Sequence, residues 1–380
     1  MPVRALARVN LAAIERNCAR LRRDLADGAA LGVVVKADGS GHGAGAAARA
    51  ALAGGAGWLC VAAALEARAL RETGIDGPVL VMGALSGEEL EVALDAGADV
   101  TAWRPAFVER LAARAGERGA AAAPVGVHVK LDTGMGRLGT RDPVEADAVA
   151  DSVAAADGLA LAGAMTHFAT ADMRDDAGFF ASQLERFAPW ARALKARHPE
   201  IVVHAANSAA TLRDPASHFD LVRCGIAAYG MDPFHENPVT RGLEAALELR
   251  SYVADLKHCE PGESAGYGRR FVAEAATELA VLPIGYGDGV RRGLSNNADV
   301  LIAGARHPLV GTVSMDNVTV DLGPDPPAGP GAAAVLIGAD GAERITAEEV
   351  ARRLQTISYE ITCGITARVP RVYHRDGTAA

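Results

Sequence analysis

Short apolar runs alternating with helical stretches constrain this chain more than any other feature. Up to about residue 230, the segments Leu31 to Val35, Trp58 to Val61, Pro78 to Met82, Asp99 to Trp103, Val125 to Leu131, Leu159 to His167, Ile201 to Ala205 and Leu221 to Cys224 read as strands. Between most of them, residues 63–72, 88–96, 106–116, 144–155 and 178–197 place apolar side chains three and four apart, the period of an amphipathic helix. Ser86 with Glu89 offers a capping box for the second of these helices. Roughly eight β-then-α units predict an α/β fold that begins as a closed parallel (β/α)8 TIM-like barrel rather than an open doubly wound sheet.

After Tyr229 the texture changes to strand patterns at Leu247 to Leu256, Thr277 to Ile284, Val300 to Ala303, Pro308 to Val313 and Ala332 to Ile337, punctuated by Gly, Pro and Asn. A C-terminal, mainly β domain is therefore expected over residues 236–380, following a barrel over 1–235. It should contain a lone helix from Thr346 to Leu354, with Glu349 closing its capping box. The Pro-rich stretch Pro324 to Gly331 reads as a loop within it. The first seventeen residues read as the start of an amphipathic helix, without the apolar segment of a secretory signal.

A chain of 380 residues, half of them hydrophobic, can bury a large core. Its net charge of −9 argues against a nucleic-acid surface and leaves small metabolites as the expected partners. No apolar stretch is long enough to cross a membrane. The cysteines are five in number, scattered and without a C-x-x-C pair, which predicts reduced thiols in a cytoplasmic protein and no metal site.

In such a barrel, chemistry collects at the carboxyl ends of the strands. The first strand delivers Lys36, the fifth Lys130 followed by Asp132 and Arg137, the sixth His167, the seventh His204, Asn207 and Ser208, and the eighth Arg223. Each alone has an ordinary structural reading, but five strand ends in order, each carrying a charged or imidazole group, predict a convergent site. A partly desolvated Lys36 could act as a nucleophile toward carbonyls. The glycine-rich Ala37 to Gly45 looks like a phosphate cradle, as do Ser208, Gly225 and Ile226 near a helix start. A nucleophilic lysine, a phosphate cradle and no metal signature suggest pyridoxal 5'-phosphate carried on Lys36.

Nine collinear segments between Val9 and Tyr373 then supply a family resemblance: VVVKADGSGHG, KLDTGMGRLG, MTHFATAD, HAANSAATL, VRCGIAAYG, AGYGRRF, LPIGYGDG, VGTVSMDNV and TISYEITCGITARVPRVY. Together they resemble the alanine racemases, pyridoxal-phosphate isomerases built from an α/β barrel and a C-terminal β domain. The resemblance implies interconversion of L- and D-alanine by two bases, Lys36 on the D face and Tyr267 on the L face, supplying D-alanine for peptidoglycan. It implies that His167 contacts the tyrosine with Arg223 behind it, that Arg223 also meets the cofactor's ring nitrogen, and that His204 orients Arg223. Ser208, the backbone of Gly225 and Ile226, and Tyr359 are then the phosphate ligands. Arg137 lies near the cofactor's phenolic oxygen and the substrate carboxylate, beside a Lys130 that carries a carbamate in some members. Met315, Asp316 and Tyr286 face the substrate or its entrance, and Tyr267, Met315 and Asp316 complete the other subunit's site in a homodimer.

Two positions depart from the family pattern. Ser40 stands where the lysine motif usually has a tyrosine that reaches the phosphate, a lost contact worth about 1.5 to 3 kcal/mol if nothing replaces it. Ser314 replaces a common cysteine before Met315. The same residues would also suit a racemase for another amino acid such as serine, or a homologue that binds pyridoxal phosphate without turnover. Retention of both Lys36 and Tyr267 argues against the latter, since a carrier needs no second base.

Overall fold

The computed structural model describes residues 4–119 and 122–380. They form two compact units: one of Glu15–Ser40 and Ala44–Ala228, the other of Met1–Ile14, Gly41–Gly43 and Tyr229–Ala380.

The first unit is the expected barrel. Its parallel strands run in chain order as Ala30–Val34, Trp58–Val61, Val79–Val81, Asp99–Ala102, Val125–Lys130, Leu159–Met165, Val202–Asn207 and Leu221–Cys224. The last closes on the first through Ala30 opposite Leu221 and Val33 opposite Cys224. Val33, Leu59, Leu80, Val100, Val127 and Leu221 are fully buried, as expected for a parallel sheet covered on both faces. Burying a side chain such as Leu59 contributes about 1.5 to 3 kcal/mol.

The surrounding helices start where the sequence marks them. Ser86 accepts the Glu89 N–H at 3.3 Å while the Glu89 carboxylate accepts the Ser86 N–H at 2.9 Å, completing the capping box. Pro105 and Pro143 occupy the first turns of Pro105–Glu117 and Pro143–Ala155, where no N–H is needed.

The second unit is built on an eleven-stranded sheet, mostly antiparallel, with a two-stranded ribbon of Ser264–Ala265 and Phe271–Val272. Three local readings of the sequence change here. Leu6–Asn10 is a strand, not the start of a helix, and pairs with Leu247–Tyr252 on one side and Arg371–Arg375 on the other. Its burial alternates with the two-residue period of a strand, but the segment is only five residues long and runs without a turn into the helix Leu11–Arg23, which hides it in the sequence. The division at residue 235 accordingly shifts, because this first strand belongs to the β unit and that unit resumes at Tyr229. The run Leu247 to Leu256 is two strands, Leu247–Tyr252 and Asp255–Cys259, and the helix Ala347–Arg353 is joined by a second, Ser358–Cys363. Thr346 does cap the former, accepting the Glu349 N–H at 3.1 Å. Among the described residues no helix is long and apolar enough to cross a membrane.

Candidate active site

Lys36 follows the first barrel strand at its carboxyl end and is exposed, not partly desolvated as expected. The strand's last buried side chain is Val35, so the lysine begins beyond the packed layers. The next four residues all have positive φ: Ala37 52°, Asp38 53°, Gly39 61° and Ser40 52°. Left-handed geometry costs a non-glycine residue roughly 1 to 2 kcal/mol, so the turn needs support. Glu66 supplies part of it, accepting the Ala37 N–H at 2.6 Å through one oxygen and the Ala62 and Ala63 N–H groups at 2.8 and 3.1 Å through the other. Asp38 adds a bond from the Ala44 N–H at 2.9 Å. Glu66 was not singled out in the sequence; its place three residues into a helix after Ala63 was the available signal.

Gly41 and Gly43 of the glycine-rich loop are closely packed. A Cβ at Gly41 would overlap the Thr362 carbonyl, and one at Gly43 the Tyr373 hydroxyl. The Gly41 carbonyl accepts a bond from Arg371 at 3.1 Å, and His42 stacks on Tyr229 with ring centroids 4.5 Å apart. These glycines serve close approach of backbone.

Arg223, on the eighth strand, is 2% exposed. It donates to His204 Nδ1 at 2.8 Å, to the Thr166 and Ala205 carbonyls at 2.8 and 3.0 Å, and toward His167 Nδ1 at 3.3 Å. All four of these bonds use its two terminal nitrogens. Burial lowers the Arg223 pKa to about 10. Burial, then the Arg223 charge, holds both His204 and His167 well below the ordinary imidazole value, so both are neutral at pH 7.

Lys130 is 4% exposed at the end of the fifth strand. Burial, with Arg223 and Arg137 next and Lys36 further off, lowers its pKa to about 8, and Asp132 only partly opposes this. Asp132 itself is structural: it accepts the Gly134 N–H at 3.1 Å, the Gly136 N–H at 3.0 Å and Arg141 Nε–H at 3.2 Å, shaping the loop that carries an exposed Arg137. At the seventh and eighth strands, Ser208 Oγ accepts the N–H groups of Gly225 and Ala227 at 2.9 and 3.3 Å, and buried Ile226 lies between those two. Asn207 is the cap of the helix Ser208–Arg213, accepting the Ala210 N–H at 3.0 Å.

Arg223, Arg137 and Lys36 thus all lie close enough for their charges to act on Lys130, with Asp132 as the counter-charge. Such a field, with a hydroxyl and backbone turn at Ser208 and a buried guanidinium donor at Arg223, fits an anionic, phosphate-bearing cofactor with a ring acceptor.

The β unit brings three of its predicted residues together. The Tyr286 N–H donates to the Ser314 carbonyl at 3.0 Å and the Gly287 N–H to the Met315 carbonyl at 2.9 Å. Beneath them, fully buried Asp288 accepts both Arg4 guanidinium nitrogens at 2.6 and 2.8 Å, and Arg368 reaches Asp316 at 2.7 Å. Arg4 and Arg368 went unnoticed in the sequence because no spacing links them to residue 288 or 316. Tyr286 and Met315 are exposed, and so is Tyr267, at 74%, on a turn between Gly266 and Gly268, both with positive φ. Tyr359 is half-buried in the helix Ser358–Cys363.

Comparisons with known proteins identify the family. A family model described as the alanine racemase N-terminal domain matches residues 9–233, and the alanine racemase C-terminal domain matches 246–373. The chain is 43% identical over 376 residues to an alanine racemase of Thermobifida fusca, covering 97% of this chain and 98% of that protein. The alanine racemase of Streptomyces coelicolor superposes with a TM-score of 0.90 at 38% identity, covering 97% of both chains. That of Bacillus anthracis, solved with L-Ala-P bound, gives 0.88 at 33% identity, covering 99% of this chain and 96% of that one. With both domain families matched in order along nearly its whole length, the chain belongs to the alanine racemase family.

Proposed function

We propose that this chain is a pyridoxal-phosphate-dependent racemase that interconverts L- and D-alanine. The observation that carries the reading is the barrel mouth: an exposed lysine at the end of the first strand, and a buried Arg223 held to His204, Thr166 and Ala205 through its two terminal nitrogens. The family relationship supports alanine as substrate, as does the relative solved with L-Ala-P.

Lys36 would hold pyridoxal phosphate, whose electron withdrawal would make the substrate Cα proton acidic enough to remove. Racemisation requires that this proton leave one face of Cα and another arrive on the opposite face, so each face needs its own acid-base group. The Lys36 amine serves the D face. On the L face the reading assigns the phenol of Tyr267, whose exposure supports its supply from a partner subunit in a homodimer. His167 is neutral and its Nδ1 faces an Arg223 N–H, so its proton sits on Nε2 and is free to be donated to a phenolate oxygen. Arg223 can donate but not accept, so it would hold a cofactor ring nitrogen in its unprotonated form, which would limit electron withdrawal and discourage side reactions.

Ser208, the Gly225–Ile226 backbone and Tyr359 would hold the phosphate, and His167 and His204 would keep the ring-facing groups in place. Arg137, Met315, Asp316 and Tyr286 would receive the substrate. Lys130, with its pKa near 8, has a substantial neutral fraction in mildly alkaline solution, which supports carbamate formation opposite Arg137. Four of the five cysteines are buried free thiols, in keeping with a cytoplasmic enzyme that makes D-alanine for the cell wall.

The test is an assay of both enantiomers of a panel of amino acids that includes alanine and serine, with pyridoxal phosphate added. Alanine should be racemised fastest in both directions, and Lys36→Ala should lose activity on the order of 10⁴-fold or more. Absence of racemisation of every amino acid by the cofactor-loaded protein sinks the proposal, and faster turnover of serine replaces its substrate.

A further inference from the structure

Beneath Arg223 a line of polar side chains crosses the barrel interior. His204 Nδ1 lies 2.8 Å from Arg223 Nη1, His204 Nε2 lies 2.7 Å from His128 Nδ1, and His128 Nε2 lies 3.2 Å from Asp99 Oδ2. Both imidazoles are fully buried. Asp99 opens the fourth strand at its amino end and lines a surface cavity of about 320 Å³ with Asp95 and Arg118.

The line can run in one direction. A guanidinium has no lone pair to offer, so His204 Nδ1 must accept. A neutral His204 then carries its proton on Nε2 and donates to His128 Nδ1, and His128 in turn carries its proton on Nε2 and donates to the carboxylate. Every donor meets an acceptor only in that order. Space for it is reserved by glycines: a Cβ at Gly163 would overlap His128 Nδ1, and one at Gly126 would overlap Asp99 Oδ1. A barrel interior is more cheaply filled by branched apolar side chains, so burying two imidazoles and a guanidinium in series calls for a use.

We propose that Asp99 and His128 are positioning residues for Arg223: the carboxylate at the amino end of the barrel fixes the tautomer of His128, and through it that of His204, so that Arg223 always meets a lone pair. The proposal rests on the reading that Arg223 faces the cofactor ring. Without the carboxylate, His128 is free to move its proton to Nδ1. His204 must then protonate at Nδ1 to avoid a donor facing a donor, and that proton opposes the Arg223 N–H. A substitution at the far end of the barrel thereby disturbs the guanidinium at its mouth without moving the backbone.

The experiment is a long-range ¹H–¹⁵N correlation of histidine-labelled protein loaded with pyridoxal phosphate, at neutral pH, on the parent chain, Asp99→Ala and Asp99→Asn. In the parent both His128 and His204 should be Nε2-protonated. Asp99→Ala should convert both to mixed tautomers and lower kcat about tenfold with KM for alanine changed less than twofold. Asp99→Asn keeps an acceptor oxygen without the charge, and should restore the parent tautomers and most of kcat. An Nδ1 proton on His204 in the parent overturns the proposal, and that measurement needs no variant to fold. So do unchanged tautomers in Asp99→Ala, or changed tautomers with kcat intact. Because tautomers are read without turnover, a protein that racemises nothing fails the functional reading while this pattern stays readable.

Discussion

The barrel mouth and the exposed loops of the β unit hold their functional groups in opposite ways. In the barrel, Arg223 is 2% exposed and fixed by two carbonyls and a histidine, in a region where cations crowd one another. On the β unit, Tyr267 is 74% exposed, and a Thr312 hydroxyl bond at 2.7 Å to its carbonyl fixes its backbone. Arg223 is held through its side chain and Tyr267 through its main chain. Truncating a side chain in the barrel should therefore disturb stability and chemistry together, whereas truncation on the β unit should separate them.

Tyr267→Phe is the strongest test of that separation. Loss of the hydroxyl should lower racemisation by about 10² to 10⁴, the range of a lost acid-base group, while the melting temperature stays unchanged because phenylalanine keeps the ring. Exchange of the Cα proton for solvent deuterium should fall steeply from L-alanine and far less from D-alanine, where Lys36 acts. Undiminished exchange from L-alanine would remove Tyr267 from its role.

The same contrast explains what could be read from the chain alone. Eight barrel strands and the ends that carry Lys36, Lys130, His167, Ser208 and Arg223 are legible because a parallel strand is an apolar run and function sits where it stops. Tyr267, Met315 and Asp316 lie on turns that have no period, and only family resemblance marks them. Three things escaped for want of local signal: the first strand, whose partners lie more than two hundred residues away, the Arg4 clamp on Asp288, and the support Glu66 gives to a left-handed turn. Ser40 shows the limit differently. It is the third non-glycine residue of that turn at φ 52°, so the position is constrained by backbone geometry as well as by any contact to phosphate.

Lys130 allows the barrel's crowded charge to be measured as stability. Its pKa falls from 10.5 in an open chain to about 8 in the fold. Below pH 8 both states hold the proton and the fold bears the full penalty. Between pH 8 and 10.5 the unfolded chain binds more protons than the native one, so unfolding free energy rises with pH, by up to about 3 kcal/mol. Parent and Lys130→Met melted across this window in CO2-free buffer should differ by that slope, since other groups titrate alike in both. Bicarbonate should flatten it if Lys130 takes up a carbamate, because the amine is then no longer free to titrate. Parallel curves in CO2-free buffer would show that the lysine is not held at unfavourable potential.

Arg368→Ala should have the smallest effect. Its bonds reach Asp316 at 2.7 Å and Asp288 at 3.4 Å, but it is 45% exposed, and surface pairs of this kind contribute at most about 1 kcal/mol. The burden of placing the loop lies elsewhere. Arg4 holds buried Asp288 with two bonds, and the Tyr286 and Gly287 N–H groups hold the Ser314 and Met315 carbonyls without any side chain. Losing Arg368 should leave the Asp316 carboxylate only its longer contact to Arg4, at 3.4 Å, and leave the Met315 backbone in place. The expected result is a KM for alanine raised roughly two- to fivefold, kcat unchanged and a melting temperature within about 2 °C of the parent. A tenfold fall in kcat would mean that the Asp316 side chain fixes the loop, and the division between side-chain and main-chain positioning would fail at the point where it is most exposed to test.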